Sequence, residues 1–202
     1  MIPTRNQAYD LMCEWVKSES LRKHMLCVEA VMRAYAKKYG QDDPSRLGGM
    51  SPAEAEELWG IAGLIHDFDY EKYPEPNSEN KTGHPYEGVK YLESLQYPSE
   101  IIDAILGHAL YSGVPRTTQM AKTLFACDEL CGFLAACGHM RPDKLESLEA
   151  SSVNKKLKNK NFAAKVSRED INLGVSEMAV DRDEHINFVI GALRTISKEL
   201  GF

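Results

Sequence analysis

Apolar residues recur at helical spacing along nearly the whole chain. Within residues 5–19, Ala8, Leu11, Met12, Trp15 and Val16 mark one face of a first amphipathic helix. Residues 21–39 repeat the pattern with Met25, Val28, Val31, Met32 and Tyr35, and Gly40 follows in the position of a C-cap. The next stretch, GQDDPSRLGG, is crowded with turn formers and reads as a loop. Ser51, Pro52 and Glu54 then combine a capping box with proline at the first helical position, starting a helix that runs to His66 and Asp67. Residues 71–83, with Pro74, Pro76, Asn77, Asn80 and Gly83, read as irregular and as a lid candidate. A helix opens at His84 or Pro85, and another, from Pro98 and Ser99, carries His108 in its last turn. Thr117 or Thr118 caps a strongly apolar helix over residues 119–137 with Asp128 at its middle. Beyond Gly138 come a turn at Arg141-Pro142-Asp143, a lysine-rich segment, a Ser167-x-x-Asp170 capping signal and a last amphipathic helix over about residues 183–200. No alternating strand pattern extends beyond a few residues, so the expected fold class is all-α.

Composition narrows the picture. A chain of 202 residues, 43% hydrophobic and 27% charged, is expected to form one soluble globular domain with a sizeable core. No apolar run is long enough for a bilayer, and MIPTRNQAYDLMCEW lacks a secretory pattern, so the expectation is a cytoplasmic protein without a membrane partner. The net charge of −6 argues against a nucleic acid polymer as partner. Cys13, Cys27, Cys127, Cys131 and Cys137 form no C-x-x-C pair and suit reduced, buried packing. No glycine-rich phosphate loop is present. Oligomeric state is left open.

Against this background the segment GIAGLIHDFD stands out, because an apolar helix ends on His66 and Asp67. Burying an imidazole and a carboxylate there requires partners. By itself the pair also fits a helix-end cap and turn. Four further polar residues sit at helix ends or on apolar helices: His24, His84, His108 and Asp128. Together the four histidines and two aspartates form a complete ligand set for two divalent metal ions, with Asp67 able to bridge them.

The order His24, His66-Asp67, His84, His108, Asp128 resembles the HD-domain superfamily of metal-dependent phosphohydrolases, whose pattern H…HD…D extends in dinuclear members to H…HD…H…H…D. This resemblance covers a metal-binding core of about residues 21–133, leaving a C-terminal helical extension of about residues 139–202. Over nearly the whole chain the sequence is similar to uncharacterised bacterial HDIG-type proteins. The resemblance implies an HD-domain helical bundle with additional C-terminal helices. Departures are local. Phe68, Asp69 and Tyr70 stand where many relatives read Ile-Gly-Lys, so Tyr70 replaces a substrate lysine, and Lys72 is the nearest substitute. Ala109 follows His108, and no Gly-Tyr-Pro element occurs, so the cyclic-dinucleotide branch is not indicated.

Two divalent ions and two aspartates would leave a positive pocket inside an acidic chain, suited to a small anionic phosphorylated substrate. The expected reaction is hydrolysis of a phosphoester, of a nucleotide or related monoester, by metal-bound hydroxide, with His66 and Asp67 at the catalytic centre. Nitrogen and oxygen donors without thiolate favour iron or manganese, with zinc, cobalt and nickel also compatible. Lys72, Arg116 and Lys122 are the candidate substrate-binding cations. Asp69 reads equally as a partner behind a ligand or as a turn residue. A diiron oxygenase using the same ligands is the alternative enzyme, and a metal-bound sensing or scaffold module is the non-catalytic one.

Overall fold

The computed structural model describes residues 3–201. The helices are α1 (Arg5–Trp15), α2 (Glu19–Asp42), α3 (Pro52–Ile65), α4 (Tyr86–Ser94), α5 (Ser99–His108), α6 (Gln119–His139), α7 (Ala150–Leu157), α8 (Arg168–Met178), α9 (Arg182–Thr195) and α10 (Ser197–Leu200). Among the described residues strand pairing is confined to one isolated bridge, Asn77 with Thr82, and the fold is all-α. No described helix is long and apolar enough to cross a membrane.

Local chemistry sets the helix starts. Thr4 and Gln7 form a reciprocal capping box at α1, and Ser51 and Glu54 do the same at α3 with Pro52 in its first turn. The hydroxyls of Ser18, Thr118 and Ser167 accept the Leu21, Ala121 and Asp170 amides at the starts of α2, α6 and α8. Several expected boundaries shift. The first helix, expected over residues 5–19, ends at Trp15, because Ser18 caps α2, which begins at Glu19 rather than at 21. Gly40 does not end α2, which continues to Asp42. A Cβ at Gly40 would lie 2.9 Å from Pro52 Cβ, so the glycine serves the close approach of α2 to the start of α3. The expected loop at residues 40–49 contains a 3₁₀ turn, Pro44–Leu47, that buries Leu47. The last helix breaks at Ile196, separating α9 from α10.

The centre of the fold is α2 packed along α3, with α6 lying against α2 and α5, and α8 against α6. Gly63 makes the first contact possible: a Cβ there would lie 2.9 Å from the Val28 carbonyl oxygen of α2. At Gly174 a Cβ would fall 2.5 Å from Ala126 Cα, which brings α8 directly onto α6. Met25, Met32, Trp59, Ile61, Leu64, Ile65 and Phe133 are fully buried between these helices. Burial of that many large side chains, each worth about 1.5–3 kcal/mol, holds these helices in fixed register. His185 belongs to this core: it accepts a 2.6 Å hydrogen bond from the Tyr35 hydroxyl at Nδ1 and donates from Nε2 to the Ala126 carbonyl.

Candidate metal centre

Three helices and two connecting segments bring the six expected residues to one place. His24 projects from α2, Asp128 from the middle of α6, and His66 and Asp67 follow the last residue of α3. His84 stands two residues before α4, and His108 is the last residue of α5. The close contact at Gly63 lies one turn before His66, so the glycine that lets α3 approach α2 also sets His66 beside His24.

The side chains converge as two groups that share Asp67. In the first, His24 Nε2 lies 2.9 Å from Asp128 Oδ1 and 3.3 Å from His66 Nε2. Asp67 Oδ2 completes it, 3.5 Å from His66 Nε2 and 3.7 Å from His24 Nε2. In the second, the Nε2 atoms of His84 and His108 are 3.2 Å apart, and each faces Asp67 Oδ1, at 3.3 Å and 3.4 Å. One carboxylate therefore presents each oxygen to a different group.

Hydrogen bonds behind the rings determine which nitrogen faces inward. His66 Nδ1–H donates to the Gly63 carbonyl at 2.8 Å, His108 Nδ1–H to the Ile105 carbonyl, and His84 Nδ1–H to Asp69 Oδ1 at 2.7 Å. With Nδ1 carrying the hydrogen, Nε2 of each neutral ring is a lone pair. The lone pairs of His84 and His108 thus point at each other and at a carboxylate oxygen, an arrangement unfavourable without a positive charge between them. The donor set, imidazole nitrogen and carboxylate oxygen with oriented rings, fits divalent transition metals. None of the cysteines belongs to either group, and burial pushes the Cys127 and Cys131 thiols up.

The same field acts on protons. Burial alone would depress the His66 imidazole, but Asp67 and Asp128 outweigh it and raise its pKa well above the ordinary value. His84 is raised in the same way, burial opposing and Asp69 and Asp67 prevailing. Burial would raise the Asp67 and Asp128 carboxyls, yet the imidazoles around them hold both far below the usual range. A positive charge, whether proton or cation, is what this cluster is built to receive.

A cavity of about 340 Å³ opens beside the cluster, lined by five of the six side chains, all but His66. His66 is fully enclosed, whereas His24, Asp67 and Asp128 keep 15–20% of their side-chain surface. The remaining walls include Tyr70, Leu110, Tyr111, Phe125, Glu129 and Asp170. Burial, reinforced by Asp128, pushes the Glu129 carboxyl up to about 7. Residues 71–83 are irregular, as expected, and their ends are tied together by the His84 amide donating to the Tyr73 carbonyl at 2.7 Å. Ser78 of this segment donates to the Tyr111 carbonyl, and the Tyr111 hydroxyl donates to the His84 carbonyl.

The three cations expected to bind substrate do not line this cavity. Arg116 is held by both carboxylate oxygens of Glu177 at 2.6 Å and by the Gly107 carbonyl, stacked 3.9 Å from the Phe125 ring centroid. It supports the cavity wall from behind. Lys72 lies over the Trp15 ring at 3.8 Å, and Lys122 sits near the start of α6, away from the wall. Three polar wall residues carry no sequence signal for this role. Glu129 is masked by its neighbour Asp128, Asp170 reads only as a cap partner, and Tyr111 carries no local signal. Asp69, open between two roles in the sequence, is buried, accepting from His84 and, at 2.7 Å, from the Gly88 amide.

No curated protein and no solved structure matches the chain. The HD domain family pattern matches residues 21–132, which contain all six converging side chains. With more than half of its 202 residues in that pattern, the protein belongs to the HD domain family.

Proposed function

We propose that the protein hydrolyses a phosphoester of a small molecule at a pair of divalent metal ions. His24, His66, Asp67 and Asp128 would hold one ion, and Asp67, His84 and His108 the other, with iron or manganese the favoured metals. The observation that carries this reading is Asp67, whose two oxygens face two separate donor groups.

When bound, such ions supply Lewis acidity and lower the pKa of coordinated water to about 7. The chain's own residues do the rest. Asp67 and Asp128 supply the negative charge that retains cations, and the Gly63, Ile105 and Asp69 acceptors keep the histidine rings from rotating. Phe125 and Leu110 give the cavity an apolar wall that limits competing water. The phosphoryl group of the substrate is drawn to the excess positive charge of two ions over two aspartates.

Elemental analysis of purified protein, paired with phosphate-release assays under air and under nitrogen, tests this reading. Two metals per chain with oxygen-independent release are expected, and His66→Ala should abolish both. Two irons with oxygen consumption and no phosphate release would replace the hydrolase by the oxygenase. Full turnover after chelation, or in His66→Ala, would end the metal reading altogether.

A further inference from the structure

A second and larger cavity adjoins the first. It is a groove of about 1060 Å³ lined by α2, by the segment that follows α3 and by the C-terminal half of α6. His24, Tyr70 and Gly132 line both cavities, so the groove opens onto the candidate metal centre. Small-molecule sites run from about 300 to 1,000 Å³. The cavity beside the six ligands lies at the bottom of that range, with room for metals and a phosphoryl group, and the groove lies at its top.

The groove's chemistry differs from that of the metal centre. Leu21, Cys27, Pro74, Ala135 and Ala136 make its surface largely apolar. Gly132 keeps the passage between the two cavities open, since a Cβ there would meet only His24 Nδ1, at 4.0 Å. The single lysine on the groove, Lys23, is paired at 3.0 Å with Glu19, which also lines it. Glu71 adds a carboxylate that accepts from the Lys17 and Ser18 amides before α2, and Asp170 lines the metal cavity. Among the described residues, Lys23, already paired with Glu19, is the one lysine or arginine lining either cavity and His139 adds an imidazole to the groove, so the main attraction for an anion lies with the metal ions. A second phosphoryl group in the groove would meet Glu19 and Glu71 and no lysine or arginine free of a carboxylate partner.

We infer that the substrate is a phosphomonoester with one phosphoryl group at the six ligands and an uncharged, mainly apolar organic body laid in the groove between α2 and α6. The inference rests on the phosphohydrolase reading, and it names that site's substrate class. Phosphonates, whose carbon–phosphorus bond is not an ester, separate the two ideas because their binding can be measured whether or not the protein hydrolyses anything. Calorimetry on manganese-loaded protein should show hexylphosphonate binding at least tenfold more tightly than methylphosphonate. Ala136→Leu, which fills the groove away from the ligands, should cut that ratio to below threefold while circular dichroism retains the helical signal. Hexyl diphosphate, with bound manganese followed in the same titration, should bind at least tenfold more weakly than hexylphosphonate. Equal affinity for the methyl and hexyl compounds, or a ratio untouched by Ala136→Leu, would overturn the groove assignment, and a diphosphate that binds as well as the phosphonate would overturn the limit to one phosphoryl group. Phosphate release from hexyl phosphate is scored separately and tests only the hydrolase reading.

Discussion

Asp69→Asn isolates the contribution of a single buried carboxylate to the candidate metal centre. Asp69 uses one oxygen to accept from His84 Nδ1 and the other to accept from the Gly88 amide, both at 2.7 Å. An asparagine has one carbonyl oxygen and cannot serve both donors. If its oxygen stays with Gly88, its NH₂ faces His84 and favours hydrogen on Nε2, the atom turned toward His108 and Asp67. If its oxygen stays with His84, the NH₂ faces the Gly88 amide, where the backbone has no room to withdraw: a Cβ on Gly88 would already lie 2.7 Å from Asp69 Cγ. Loss of such a partner behind a ligating histidine costs about 10–100-fold in metal affinity, or about 1.4–2.7 kcal/mol. The loss should fall on the His84, His108 and Asp67 group, because His84 is the one member of either group that Asp69 hydrogen-bonds. Manganese titration against a chelator of known affinity, with metal content read by mass spectrometry, should therefore show one site weakened by that factor and one unchanged. Two sites of wild-type affinity would refute the role assigned to Asp69. Equal weakening of both would refute the division into two groups.

Three further outcomes follow from the same geometry. Gly63→Ala should destabilise the fold by about 1–3 kcal/mol in urea melts, because the added Cβ meets the Val28 carbonyl at 2.9 Å in the α2–α3 contact; an unchanged midpoint would contradict that packing. Lys122→Ala should leave kcat/KM within about twofold, as expected of a residue away from the wall, and a tenfold loss would return Lys122 to substrate binding. His185, whose pKa burial lowers to about 4, stays neutral in the fold while the unfolded ring protonates near its ordinary value of 6.5. Its contribution is complete above that value and is lost as pH falls toward 4, amounting to about 3 kcal/mol. Urea melts of metal-loaded wild type and His185→Gln at neutral and acid pH should differ by about that much in their acid loss, and parallel losses would count against a neutral His185.

What could be read from the sequence divides along a physical line. Helix starts were legible because a cap is a contract between residues three apart: Ser51 and Glu54, Thr118 and the Ala121 amide, Ser167 and the Asp170 amide all satisfy it within one turn. The polar residues of the metal centre were legible for a related reason, since each is out of place on its own apolar helix end or face and needs a partner from elsewhere. Roles that depend on a residue far along the chain were not legible. Arg116 has the composition of a phosphate ligand, and only Glu177, 61 positions away, turns it into a wall support. Asp170 satisfies its local reading as a cap partner completely, and it becomes part of the cavity because Gly174, one turn later, lets α8 settle against Ala126 of α6. Gly40 has the right identity for a helix end, but its missing side chain is used by Pro52 instead. The unexpected features share one cause: a small residue or a distant charge that sets how two helices meet. The groove between α2 and α6 arises in this way too, from Gly132, Ala135 and Ala136, whose small size has no evident purpose until α2 is placed opposite them. On the proposed groove assignment, substrate selection falls to positions whose residue types carry no chemistry of their own, while the six histidines and aspartates proposed as ligands are the ones the chain displays openly.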